Sequence, residues 1–215
     1  NKVESGDKGF VGFYVGEHSY TIECYDSENI YLRTVDDQDI AWYVWLTTNT
    51  VSSISPKDQF SSLVWSDEFS SAGAIDENKW FHQTKIPSGG SWYNNEVQHY
   101  TNRTQNSYVE DGNLFIKAIK ESLTDQGHTK QYTSARLNSK YAFTYGRVDV
   151  KAKLPLGSGT WPAIWTLGRN INEDGGFWST QFGETNRPAC GEIDIMEHGL
   201  HNDNEVSSAL HTPSS

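Results

Sequence analysis

Cysteine, methionine, basic side chains and long apolar runs are all scarce in this 215-residue chain, and each scarcity excludes something. The two cysteines, Cys24 and Cys190, stand far apart and follow no metal–thiolate spacing. A disulfide framework is therefore not expected, and each is read as a small buried hydrophobe. No run approaches the roughly 18 apolar residues that a membrane-spanning helix needs. Lys and Arg total 17 against 28 Asp and Glu, a formal net charge of −11. Phosphate binding needs clustered cations, so nucleic acid is excluded as a partner and an anionic lipid surface is disfavoured. The first residue is Asn1 and no signal peptide is legible, so a mature or trimmed product is expected.

Aromatic residues and glycine are what the chain has in quantity. Eight Trp, 11 Tyr and nine Phe accompany 18 Gly, although the apolar fraction is only 35%. Eight tryptophans exceed what a core of this size needs, so some are expected to face a ligand. An acidic, aromatic, Gly-rich protein suits a neutral ring-shaped ligand.

Apolar and polar residues alternate in short runs throughout. Phe10–Val15, Tyr20–Ile22, Ile30–Val35 and Ile40–Leu46 read as strands, and residues 47–58 form a polar stretch with a linker's composition. Beyond about Leu63, strands are expected at Leu114–Ile119, Thr133–Leu137, Tyr145–Leu154, Trp161–Leu167, Glu192–Glu197 and Glu205–His211. No helical period of useful length occurs. The expected fold class is all-β, an antiparallel β-sandwich. Residues 1–46 are too few to fold alone, and the remainder is short for a sandwich with a long groove. The expected organisation is the C-terminal part of a small β domain at 1–46, a linker at 47–60, and the N-terminal portion of a larger sandwich at 61–215, truncated at its C-terminus.

The most informative segment is Gly191-Glu-Ile-Asp-Ile-Met-Glu-His198. In a regular strand Glu192 and Asp194 share a face, while Glu197, five residues on, points the opposite way, into the core. A buried unpaired carboxylate is expensive. A β-bulge at Ile195-Met196 would insert one extra residue and return Glu197 to the face of Glu192. The two glutamates would then stand about four ladder positions apart, roughly 13 Å between Cα atoms. Side chains leaning together could bring their carboxyls to the ~5–5.5 Å of a retaining glycosidase. One carboxylate would attack the anomeric carbon while the other served as acid and then base. Asp194 between them could hydrogen-bond the nucleophile and hold a proton, the three titrating as a coupled group.

At these residues the chain resembles glycoside hydrolase family 16, in its bulged branch that includes the laminarinases. The family signature E-I-D-I-M-E stands complete at 192–197. Val64–Phe69 is similar to the family's opening strand, followed by Ile75–Trp80, and Trp92–Thr101 is similar to its N-N-E-x-Q-x-Y-T segment. Asp111–Leu114, Thr133–Arg136, Tyr145–Val148 and Gly159–Trp165 also match, in the expected order. The resemblance implies a jelly-roll, concanavalin-like sandwich with an open cleft that cuts β-glycans internally. It implies Glu192 as nucleophile, Asp194 as its assistant and Glu197 as acid/base, with no cofactor required for catalysis. It also implies a secreted, cell-surface or periplasmic setting.

The same resemblance singles out residues around the acids. Trp161 is favoured as a cleft residue whose indole suits the apolar face of a pyranose, and Trp165 is either cleft or core. Asn95 and Arg136 match positions lining the glycone side, the alternatives being a turn residue and a surface cation. His198 follows the acid/base and either hydrogen-bonds near it or is structural. His211 ends the strand expected to pair with the catalytic one and could reach the groove. Arg187 stands where relatives carry a Trp, which leaves room for a charged or substituted glycan, since Arg binds sulfate or carboxylate bidentately. Trp178, in the Gly-rich insertion 172–183, could supply the missing ring. Glu68 and Gly112 match part of a structural calcium site. Asn102-Arg-Thr104 fits a glycosylation sequon but is read as a turn. Trp42, Tyr43 and Trp45 are read as core or carbohydrate contacts.

The resulting expectation is an endo-acting retaining hydrolase of β-1,3-glucan or mixed β-1,3-1,4-glucan. The alternatives are a hydrolase of a β-galactan of agar or carrageenan type and a carbohydrate-binding protein that has lost catalysis. The intact acid triad speaks against the last.

Overall fold

The computed structural model describes residues 62–199 and 205–214 in full. Of the first 61 residues it describes only the strands β1 (Val11–Tyr14), β2 (Ser19–Glu23), β3 (Tyr31–Val35) and β4 (Trp42–Leu46). The expected division at 1–46 and 47–60, and the readings of Cys24, Trp42, Tyr43 and Trp45, therefore lie outside the described residues. Two compact units are present. The first comprises Asn1–Glu68, Phe143–Thr166 and Glu192–Ser215, and the second Phe69–Ala142 and Leu167–Gly191.

In the first unit the alternation of the sequence sets the layers. β5 (Ser62–Asp67) precedes β13 (Arg147–Val150), in which Val148 and Val150 are buried. The intervening Arg147 and Asp149 share the other face and pair at 2.8 Å. β15 (Glu192–His198) lies between β14 (Ala163–Leu167) and β16 (Glu205–His211) in one sheet. Val148, Val150, Ile164, Ile195 and Met196 line one small apolar cavity at its core.

The second unit is built from short ladders. β6 (Trp80–His82) pairs with β12 (Leu137–Ser139). β8 (Ser107–Glu110) and β9 (Asn113–Ile116) form a hairpin on the turn Asp111-Gly112. β10 (Ile119–Asp125) and β11 (His128–Ser134) form another, turning at Gln126 and Gly127 with φ of 51° and 80°. Both central residues of such a two-residue turn need positive φ, which suits the Gly. β7 (Gln98–Tyr100) runs parallel to β11, a departure from the wholly antiparallel expectation. Phe69, Ile75, Trp80, Ile86, Trp92 and Val109 fill the apolar core. Asn106 and Thr133 are fully buried beside them, satisfied by a network with Thr101, Arg103 and Glu121.

Several expected strands are cut differently. Leu114–Ile119 is divided between β9 and β10, and Thr133–Leu137 between β11 and β12. The segment 145–154 keeps strand geometry only at Arg147–Val150. Cys190 is half-buried rather than buried. The insertion 172–183 holds a single helical turn, Ser179–Phe182. No helix among the described residues is long and apolar enough to cross a membrane.

Candidate active site

β15 and β16 pair antiparallel with a shift of register. Glu192 faces His211 and Asp194 faces Ala209, but Glu197 faces Ser207. Ile195 and Met196 together therefore stand opposite Ser208 alone, which is a one-residue β-bulge at the expected position. Both bulge side chains are buried, 4% and 5% exposed, as a regular strand does not allow for neighbours. The extra residue restores the parity that the sequence breaks. Glu192, Asp194 and Glu197 share the face of His211, Ala209 and Ser207.

Each acid has a distinct setting. Asp194 has a side chain only 7% exposed, and its Oδ2 lies 2.9 Å from His211 Nε2. His211 was expected at the groove, and its imidazole is placed on the central acid. Glu197 is half-buried, and its Oε1 accepts a 3.0 Å hydrogen bond from Trp161 Nε1–H. Trp161 itself is 38% exposed, so much of the indole remains open to solvent while its polar edge holds the carboxylate. Gly199, just after β15, has φ of 87°, and a Cβ there would fall 2.2 Å from the Thr160 carbonyl oxygen. Only glycine lets the chain before Trp161 approach the end of β15 so closely.

Two expectations on this strand are corrected. His198 is buried opposite Val206, on the face away from the acids, and its backbone N–H donates to Pro162 O at 3.1 Å. It is a core residue because the position after Glu197 points the other way. Ile193, which in a regular strand would share the core face with Ile195, is exposed, as is its partner Leu210. Burial falls on Asp194 instead. Trp165 is half-buried within β14.

The remaining candidates lie in the second unit. Arg136 is not a surface cation. Its Nη1 and Nη2 donate to Glu173 Oε1 and Oε2 at 2.8 and 3.1 Å, with the two side chains 9% and 10% exposed. Its guanidinium also lies 5.8 Å from the Trp92 ring centroid. Gln83, fully buried, donates to Glu173 Oε2 at 3.0 Å and to the Asp174 carbonyl at 3.1 Å. A buried charge kept in this way is bidentately paired and hydrogen-bonded. Asn95 is exposed with φ of 61°, following Asn94 at 57°; asparagine tolerates this left-handed conformation. Arg187 lies over the exposed Tyr93 ring, 5.4 Å from its centroid. Trp178 packs edge-on against Phe177 at 4.8 Å and beside Phe182 and Arg169, so its ring belongs to a local aromatic cluster.

Burial pushes the Tyr100 hydroxyl far above the usual phenol range, and neighbouring Glu96 pushes it further. The hydroxyl donates to Glu96 Oε2 at 2.6 Å. Burial lowers His82 from its ordinary value, opposed by Glu77, and the ring sits 2.7 Å from Ser107 Oγ. No group of three or more His, Cys, Asp or Glu that could hold a metal occurs among the described residues. Glu68 is exposed just after β5, and Gly112 lies in the β8–β9 turn of the other unit. Glu173, Gln83 and Ser208 escaped the sequence reading. Ser208 was findable, because an expected bulge singles out the residue facing it.

Comparison with known proteins gives the family. Residues 79–215 match the family model of the XgeA-like, catalytic GH16 domain. The chain belongs to glycoside hydrolase family 16. It has the antiparallel β-sandwich fold of that family. It is 40% identical over 160 residues to the glucan endo-1,3-beta-glucosidase A1 of Niallia circulans, covering 70% of this chain and 22% of that protein. It is 40% identical over 164 residues to the beta-glucanase of Rhodothermus marinus, covering 75% and 52%. Among solved structures, a variant of LamA from Z. galactanivorans in complex with laminaritriose and laminaritetraose is 60% identical, with a TM-score of 0.63 over 65% of this chain and 56% of that one. The chain thus spans between a fifth and about half of the curated relatives' own length.

Proposed function

We propose that the protein is an endo-acting, retaining glycoside hydrolase of β-1,3-glucan, with mixed β-1,3-1,4-glucan as a further substrate. The observation that carries this is the bulge at Ile195-Met196, which sets Glu192, Asp194 and Glu197 on one face of β15. The family membership and the glucan-directed relatives support the substrate class.

In the first step the Glu192 carboxylate attacks the anomeric carbon, and Glu197 gives its proton to the departing glycosidic oxygen. A glycosyl ester on Glu192 results. In the second step Glu197, now ionised, takes a proton from water as that water attacks the same carbon and frees Glu192. Two inversions retain the β-configuration. Asp194, buried beside the nucleophile's position and hydrogen-bonded to His211, orients Glu192 and relieves repulsion among the acids. The Trp161 N–H positions Glu197, and the exposed part of the indole suits a pyranose face. Glycan contacts at Asn95 and Arg136 rest on resemblance alone, and one at Arg187, where relatives carry a Trp, rests on the bidentate chemistry of its guanidinium. An extracellular or periplasmic setting likewise rests on resemblance alone.

Incubation of the full protein with laminarin, lichenan and agarose tests the reading. Sugar release is expected from the two glucans and absent in Glu192→Ala, with the β-anomer appearing first by proton NMR. Hydrolysis of agarose alone, or an α-anomer first, would overturn it.

A further inference from the structure

Ser208 faces the bulge. It is the residue of β16 that stands between the pairs Asp194–Ala209 and Glu197–Ser207, opposite both Ile195 and Met196. Its hydroxyl donates to the Ile195 carbonyl oxygen at 2.8 Å. A bulge interrupts the regular exchange of ladder hydrogen bonds, so its carbonyls depend on partners from outside the ladder. Here a side chain from the facing strand supplies one, at the point where the parity of β15 changes. From this geometry we infer that Ser208 is a positioning residue: its hydroxyl pins the bulge and thereby fixes Glu197 relative to Glu192 and Asp194.

The claim rests on the catalytic roles proposed above but on different atoms. Ser208 lies on the half-buried opposite face of β16 from Ser207, Ala209 and His211, so it touches no substrate. It acts through the backbone of Ile195. Without the hydroxyl, the carbonyl must find water or shift, and the β15 backbone between Asp194 and Glu197 gains freedom. Small misplacements of an acid/base are costly to the chemical step and nearly neutral to glycan binding. The signature is therefore a fall in kcat with KM preserved.

The test is Ser208→Ala beside Ser208→Thr in the full protein. Ser208→Ala is expected to lower kcat on laminarin about tenfold, the scale of one lost hydrogen bond, with KM within about twofold of wild type. Amide exchange at Met196 and Glu197 is expected to accelerate while that at Glu192 and Ile193 does not. Ser208→Thr, which keeps a hydroxyl, is expected to restore both readouts. A wild-type kcat in Ser208→Ala, a loss confined to KM, or a Thr variant as slow as the Ala variant would each overturn the inference. Unchanged exchange at the bulge would overturn it whatever the substrate. If the wild-type protein cuts none of the glucans, the functional reading fails instead, and the exchange rates still decide whether Ser208 holds the bulge.

Discussion

Changing the length of β15 by one residue in each direction gives the most demanding test of the bulge. Glu192 and Glu197 are five residues apart in sequence but four ladder positions apart in space, roughly 13 Å between Cα atoms. Deleting Met196 removes the extra residue. The two glutamates become four residues apart in a regular strand, still on one face and still opposite His211 and Ser207. Inserting a glycine after Met196 does the reverse: with the bulge kept, Glu197 lies five ladder positions from Glu192 and turns inward, and without it the acid keeps its face but stands six positions away, roughly 20 Å between Cα atoms. The expectations diverge accordingly. The deletion loses a side chain that is 5% exposed and is expected to destabilise the fold by about 2–5 kcal/mol, the range of large-to-small core substitutions. Its chemistry suffers only from imperfect placement, on the order of 10²-fold in kcat. The insertion either directs Glu197 toward the buried face or carries it two ladder positions farther from Glu192, and both remove the acid/base, a loss of about 10²–10⁴-fold. Glu197→Gln provides the benchmark for that loss. Initial rates of reducing-sugar release from laminarin, with melting temperatures to confirm folding, give the comparison. A folded deletion variant as inactive as Glu197→Gln, or an insertion variant near wild type, would refute the view that the bulge serves to set the face of Glu197.

Other expectations follow from individual contacts. His211→Ala removes the hydrogen bond to a largely buried Asp194; about 1.5–3 kcal/mol for a bond to a charged group corresponds to a fall in kcat of roughly 10–100-fold, and an unaltered kcat would show that His211 does not support the acid. Arg136→Ala strands the Glu173 carboxylate, 10% exposed, and is expected to cost about 3–5 kcal/mol in urea unfolding. The paired change Arg136→Leu with Glu173→Leu should recover most of it, and equal losses in both variants would argue against an uncompensated charge as the cause. His82 titrates below its ordinary value because burial opposes its charged form. Between its folded pKa and about 6.5 the unfolded chain binds a proton that the folded chain refuses, so stability falls as pH drops through that window. His82→Asn should flatten the profile there, and an identical pH slope in the variant would exclude His82 as the source.

What the sequence made legible divides along physical lines. β15 and its bulge could be read because three acids at 192, 194 and 197 conflict with a period of two, and one inserted residue is the cheapest way to keep a carboxylate out of the core. β16 could be read from its alternation, and Glu205–His211 has the expected bounds. The hairpin β10–β11 was missed because its residues are mostly polar and its outer face meets solvent, so no hydrophobic period marks it. Its signal was local, in the Gln126-Gly127 turn. The partner of Arg136 was not legible for a related reason. A lone arginine in a sequence looks like a surface cation until its partner is known, and Glu173 lies 37 residues away in a Gly-rich insertion. Pairing across such a distance leaves no period and no spacing. His198 shows the converse, since strand parity alone, carried one position beyond Glu197, would have assigned it to the core. A bulge thus transmits its consequence down the strand: whatever fixes the parity at Ile195-Met196 decides not only where Glu197 points but also which neighbour is buried, and a single hydroxyl on the facing strand stands at that decision point.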